Sequence, residues 1–393
     1  MKTSEPFRTP RTSGLAVLIC FVLGAAGVGC RQQGVPSGNA IPPFVFRSLD
    51  LNQRRSDGTR DWDLQSPEAR YSLDSRTVRA VKPKGVLYRQ DQPSFQIRAE
   101  LATVLNDGEL VVLEGGVELQ QLNQRRVTIT GDRLVWTPSQ SQMVIDQNPR
   151  AVDETSELSV DHLTFDVQQD TLLFRGDTLW TRWAGERSND KPPSSTVTSR
   201  NGFWNLQSGD LESQGPVLIK RTEGETVTAP GLVGNTLKQH IDLLSPVLMT
   251  LPKDQGKLTT GKTRWDFGRQ ELTTKADVLA TLKKTTIKGR GFRVNQVGKR
   301  VTIPSRCELV QPDQHLTAQR CSWNWGNDSV VAEGDVVLKR DALDQTTRAS
   351  RLEGVLNDEG VIRFGAPGRR VTSTIKLKTP NQSDQTNRPP VSF

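Results

Sequence analysis

The chain has 393 residues and a formal charge of +8, with only three histidines and with Gly 32 and Pro 22 against Met 3 and Tyr 2. Its Arg and Lys residues are scattered singly and form no basic stripe with interleaved aromatics, so nucleic acid is excluded as a partner and the charge excess reads as a solvated surface. The sequence holds no CxxC, no P-loop, no GxGxxG after a strand and no Ser/His/Asp or Cys/His arrangement, so neither a metal, a cofactor nor catalysis is expected.

The first predicted element is an export signal. Lys2, Arg8 and Arg11 precede the apolar run Leu15 to Gly29, which ends in small residues directly before Cys30. Its 15 residues fall short of the roughly 20 that a spanning helix requires. Small residues followed by Cys resemble a lipoprotein cleavage site, with Cys30 as the lipid anchor. Gly27 stands where such sites carry Leu, so an uncleaved anchor helix is the other reading. Both place residues 44 onward outside the cytoplasm, membrane-anchored and periplasmic. Arg31 to Pro43 reads as a flexible tether. In an oxidising compartment Cys307 and Cys321 either pair as a disulfide or remain two buried thiols.

The body is a repeat. Units open near Phe95, Val127, Leu158, Val197, Val227, Leu258, Thr286, Leu316 and Thr347, at spacings of 32, 31, 39, 30, 31, 28, 30 and 31 residues. The one long unit contains a polar insertion, Glu186 to Ser195, which reads as a loop. A second marker keeps the same period: GVEL at Gly116, DTLW at Asp177, PVLI at Pro216, PVLM at Pro246, DVLA at Asp277 and DVVL at Asp335. Apolar residues alternate with polar ones inside each unit, which predicts strands. The alternation also slips. Val127 and Ile129 share one parity, Leu134 and Trp136 the other, and Leu158/Val160 give way to Leu163/Phe165 in the same manner. A slip reverses a strand's facing unless a bulge or corner absorbs it, so a bend is expected near Gly131-Asp132 and its equivalents. The fold class that follows is all-β: an elongated repetitive β-jelly-roll of bent antiparallel hairpins in two facing sheets with open ends. At strands about 4.8 Å apart, nine units would stack to on the order of 40 Å.

Seven residues after the unit starts stand Leu134, Phe165, Trp204, Trp265 and Trp323, with Trp136 and Trp325 two residues beyond two of them. Such bulky side chains need either a dense core or a cavity wall. One reading is a filled core. The other is a continuous groove for an acyl chain or another elongated amphiphile.

The segment before the repeats, FRSLDLNQRRSDGTRDWDLQSPEARY from Phe46 to Tyr71, followed by VRAVKPKGVLYRQDQ and FQIRAELATVLNDGELVVLEGGVEL, resembles the LptC family, the membrane-anchored periplasmic component of lipopolysaccharide export. The repeated units resemble the OstA/LptA type of the same pathway. The resemblance divides the body 44–379 into an LptC-like part, 44–126, and OstA/LptA-like repeats, 127–379; residues 380–393 read as a disordered tail. It implies lipopolysaccharide as cargo. It also implies an inner-membrane ABC transporter docked on the N-terminal edge, about 44–51, and an LptA-like bridge protein on the C-terminal edge, about 371–377. Relative to the common family pattern the chain has extra rungs, and its anchor resembles a lipoprotein cysteine. The competing expectation is a periplasmic or surface β-scaffold that binds polysaccharide or protein through outward positions such as Arg125, Arg182 or Lys220.

Overall fold

The computed structural model describes residues 43–122, 126–252, 256–282, 284–355, 363–365 and 371–375. Cys30, the tether up to residue 42, the tail, Arg125 and the last two residues of the outgoing edge, 376–377, lie outside them. Among the described residues the structure is antiparallel strands throughout, with 3-10 turns and no helix long and apolar enough to cross a membrane.

The strands form two sheets, because each long hairpin changes partners halfway along. Leu110–Gln121 pairs through its first half with Leu101–Leu105 and through its second with Gln92–Arg98. Its hairpin partner, Thr128–Thr137, pairs first with Arg150–Val152 and then with Gln142–Gln147. The same division recurs in Ser156–Asp166 with Thr171–Arg182, in Asp210–Arg221 with Thr226–Asn235, in Glu271–Leu282 with Thr285–Asn295, and in Ser329–Arg340 with Gln345–Val355. Sheet I thus runs from Leu49–Arg54 to Thr372–Ile375, and sheet II from Phe44–Phe46 to Arg363–Gly365. Every crossing between sheets falls on one line, the spine, and every hairpin turn falls on one of two rims.

The corner at each crossing is a bulge. Gly115 and Gly116 face the single residue Asp132, and Gly176 and Asp177 face Asp161. The pattern continues at 215–216 against 230, 275–276 against 291, and 334–335 against 350. Two residues opposite one bend the strand and sharpen its twist. Gly176 shows why the position wants glycine: its φ is +84°, and a Cβ there would collide with the Asp161 carboxylate, which accepts a hydrogen bond from the Asp177 backbone N–H at 2.7 Å. The bend expected near Gly131-Asp132 is this corner.

Each unit therefore adds two strands to each sheet, where the sequence reading counted one. Roughly twenty strand segments per sheet, each about 4.8 Å apart, give on the order of 100 Å, more than twice the expected height.

Three apolar clusters follow one another along the interior, the first built around Phe95, Phe165 and Leu134, the second around Ile241 and Trp265, the third around Leu338 and Leu352. In the third, Cys307 of sheet I and Cys321 of sheet II form a disulfide with Cα atoms 5.9 Å apart and a sequence separation of 14. It joins the sheets beside the corner at Gln319. Closing a loop of that length restricts the unfolded chain by about 3 kcal/mol. Replacing both cysteines by Ser is expected to lower the stability of the C-terminal units by that amount, read as an earlier urea transition of Trp323 and Trp325 fluorescence.

On the outer side of sheet II, Asp242 is gripped by Arg264, at 2.6 and 2.9 Å, and by Lys262 at 3.2 Å. The Arg264 hydrogen bonds, with Lys262 adding to them against the opposing effect of burial, hold the Asp242 carboxyl below its ordinary value. A depressed carboxyl contributes stability that is fully present above the unfolded value, about pH 4, and is lost as pH falls through the lower folded one. Wild type should lose more stability than Asp242→Asn between pH 5 and about pH 2, measured by urea midpoints.

Candidate functional site: an apolar wedge between two sheets

Seen down the spine the two sheets make a wedge, closed at the corners and bounded by the two rims. One row of directly paired residues runs along the inside of sheet II. It passes from Val104 through Val111, Trp136, Met143, Phe165, Leu172, Trp204 and Leu211. It continues through Gly234, Ile241, Trp265, Leu272, Val294, Val301, Trp323 and Val330. A matching row in sheet I runs from Ile97 through Leu119, Ile129, Ala151, Leu158, Trp180 and Val197 to Ile219. It then passes Val227, Met249, Leu258, Ala280, Ile287, Leu309, Leu316 and Leu338 before reaching the hydroxyls of Thr347 and Ser373. No ionisable side chain interrupts either row.

The structure brings together Trp136, Phe165, Trp204, Trp265 and Trp323 in the sheet II row. Leu134 lies in the adjoining inward row, paired with Leu113 and Ile145. Trp325 is not part of the wall: it follows the strand Arg320–Asn324, is 36% exposed and meets Trp323 edge-on at 6.4 Å. The sequence count began one row off at Val127, where Ile129 is the row member, and one residue off at Thr286, where Ile287 points inward. Trp62 and Trp180 were missed. Trp62 faces Trp136 across the wedge at 5.3 Å, and Trp180 ends the DTLW marker, whose last letter is always a sheet I row residue.

The wedge is not equally open along its length. Leu134 and Phe165 are fully buried, Trp136, Trp204 and Trp265 nearly so, and Phe95 of sheet I packs on Phe165 at 5.1 Å. Rim-to-rim contacts bridge this part, beside a cavity of ≈ 320 Å³ at the rims lined by Leu87, Arg89, Trp136 and Val167. Arg89 of the sheet I rim holds Asp170 and the Val167 carbonyl of the sheet II rim. Farther along, Arg182 lies over Phe267 at 4.2 Å, with Trp180 at 6.3 Å from the same ring. Arg182 is therefore a clasp and not an outward binding position; burial lowers its pKa from the ordinary guanidinium value, opposed by Asp153. Lys220, by contrast, is exposed. Between the first two clusters a cavity of ≈ 30 Å³ is lined by Leu158, Phe174, Trp180 and Trp204, room for a water but not for an acyl chain. Toward the C-terminus the lining loosens: Ile287, Val294, Val301, Leu309 and Trp323 are only half-buried.

The indole N–H of Trp204 donates to Thr236 at 3.1 Å, while those of Trp62 and Trp323 are buried with no acceptor among the described residues. Among those residues no cluster of His, Cys, Asp or Glu is suited to a metal.

The geometry defines a class: a two-sheet β-jelly-roll whose inward face is a continuous apolar wall. Residues 15–148 match the family described as "Lipopolysaccharide-assembly, LptC-related", so the N-terminal third of the chain is similar to that family. No curated protein matches the sequence. A solved structure, LptH, the LptA homologous periplasmic component of the lipopolysaccharide transport device from Pseudomonas aeruginosa, is similar at 13% identity and a TM-score of 0.25, over 34% of this chain and 90% of that one.

Proposed function

We propose that the chain is a non-enzymatic, membrane-anchored periplasmic component of lipopolysaccharide export. It accepts lipopolysaccharide from an inner-membrane ABC transporter and passes it to a following bridge protein. The observation that carries this reading is the pair of in-register apolar rows, which offer acyl chains one uninterrupted lining, while a saccharide stays in water outside the rims. The LptC-related match over residues 15–148 supports the pathway. Lipid transit requires the closed N-terminal part of the wedge to part at its rims, against contacts such as Arg89 with Asp170.

Two edges suit the partners. Phe44, Val45 and Phe46 form the exposed terminal strand of sheet II beside Leu49–Arg54 of sheet I, an apolar edge that is a hazard unless another strand covers it. This is the transporter side, with Cys30 as the lipid anchor or with the apolar run before it as a helix. Thr372–Ile375 ends sheet I, and there the OstA/LptA-like bridge partner adds a strand. The repeats from 127 onward serve as extra rungs of the bridge.

The dense packing around Phe165 favours a second reading, a filled scaffold that binds polysaccharide or protein from outside. Native mass spectrometry with lipid extraction on the full chain, purified in mild detergent from a Gram-negative envelope, separates the two. Bound lipopolysaccharide or lipid A supports the conduit, and a lipid-free protein that retains a polysaccharide or protein partner supports the scaffold.

A further inference from the structure

The cavity at the mouth of the wedge has two unlike walls. Its ≈ 320 Å³ is a volume at which small-molecule sites begin. On the sheet II side Trp136, Pro138 and Val167 make an apolar wall. Trp136 is also a member of the inward row, paired with Val111 and Met143, so this wall runs on into the wedge. On the sheet I side the guanidiniums of Arg55 and Arg89 reach the same space.

Each guanidinium already holds a carboxylate, but the two pairs differ. Arg55 bonds Asp61 at 3.0 Å and donates to the Tyr88 carbonyl at 3.1 Å, a contact within one rim between residues six apart. Arg89 holds Asp170 through both terminal nitrogens, across the rims and over a separation of 81 residues. The Asp170 side chain is 5% exposed and that of Arg89 31%. Arg89 lines the cavity and Asp170 does not, so a ligand in the cavity meets the cation of this pair and not the anion.

We propose that this cavity binds the phosphorylated sugar head of an acylated cargo, and that Arg89 exchanges Asp170 for the cargo's phosphate, which releases the clasp between the rims. The inference rests on the lipid-conduit reading. A guanidinium grips phosphate in the same bidentate geometry as carboxylate, and a phosphate brings more charge and more acceptor oxygens to that contact. It therefore competes with Asp170 for Arg89 and has Arg55 as a second donor. The flat faces of Trp136 and Pro138 suit the C–H face of a pyranose, and acyl chains leave the cavity along the Trp136 row. Only Val104 and Val111 precede Trp136 in that row, so the site stands on the side proposed to face the transporter, and the wedge opens there only for a loaded cargo. Arg55 and Arg89 are balanced by Asp61 and Asp170. The site thus has no net charge to draw in a free anion, and the apolar wall must supply part of the affinity.

The test is equilibrium binding to the full chain in mild detergent, with diphosphoryl lipid A, fully dephosphorylated lipid A and inorganic phosphate as probes. Wild type is expected to bind the diphosphoryl form roughly tenfold or more tighter than the dephosphorylated one, the worth of one charge-assisted hydrogen bond, and inorganic phosphate far more weakly than either. Asp170→Asn suits the left-handed backbone at this position, φ +50°, which Asn tolerates. It removes the competing carboxylate and should tighten the diphosphoryl form further, where a merely structural ion pair would give the opposite. Arg89→Gln combined with Asp170→Asn leaves no unpaired buried charge and should erase the preference while dephosphorylated lipid A still binds. Equal binding of the two lipids by wild type, weaker binding of the diphosphoryl form by Asp170→Asn, or a preference that survives in the double variant overturns the proposal and leaves the conduit reading standing. Inorganic phosphate bound as tightly as the lipid overturns it too, in favour of a free-anion site. If neither lipid binds, the conduit reading falls and the proposal with it.

Discussion

Phe165→Ala is expected to lower stability by about 3–5 kcal/mol, and Trp323→Ala by about 1 kcal/mol or less, although both remove an aromatic ring from the same row of sheet II. Phe165 is fully buried against Phe95, so its loss opens a cavity that the two sheets, held by Arg89 across the rims, cannot collapse to fill. Trp323 is half-buried, with Val301 and Val330 beside it, and its indole N–H has no acceptor among the described residues. Truncating it therefore removes less buried area and also removes an unmet polar group. Urea unfolding of the two variants measures the contrast directly. Equal losses would mean that the wedge is packed to the same density throughout, and the gradient described above would be wrong.

Trp323→Asp should arrest lipopolysaccharide transport while the protein still folds. A carboxylate on an apolar path costs several kcal/mol to an acyl chain that must pass it, enough to slow transit by more than two orders of magnitude. The position matters. Trp204 and Trp265, which the sequence offers as equivalent sites, are almost wholly buried, so Asp there would unfold the strand pair and transport would fail for a trivial reason. The readout is release of lipopolysaccharide to the outer leaflet in cells depending on the variant, with circular dichroism of the purified chain as control. Thr302→Asp, on the outer face of the neighbouring strand, should transport as wild type does.

Much of this architecture was legible in the sequence, because a repeated β-hairpin writes its geometry as a spacing. From the sheet I row to the sheet II row is seven residues, as from Leu158 to Phe165, Leu258 to Trp265 and Leu316 to Trp323. The return takes eight, as from Leu172 to Trp180 and Val330 to Leu338. The extra residue is the bulge at Gly176-Asp177 and Gly334-Asp335, which is why the second marker opens on Gly, Asp or Pro. A side-chain alternation of two cannot survive an odd step without a corner, so the parity slip located every bend. What spacing does not encode is how far the sheets stand apart. Trp265 and Trp323 look alike in the repeat, yet one is buried and the other is not, since burial depends on contacts such as Arg182 with Phe267 between rims remote in sequence. The disulfide was undecided for the same reason: the distance between Cys307 and Cys321 is set by a corner and not by the 14 residues between them.

Transit of lipid inside the wedge is tested most directly by placing a photo-crosslinking amino acid at Val301 or Trp323, facing inward, and at Thr302 or Ser322, facing outward, in cells that depend on the protein for growth. Lipopolysaccharide adducts at the two inward positions and none at the two outward ones are the predicted result. No adduct at Val301 or Trp323, or adducts as strong at Thr302 and Ser322, would contradict a path between the sheets.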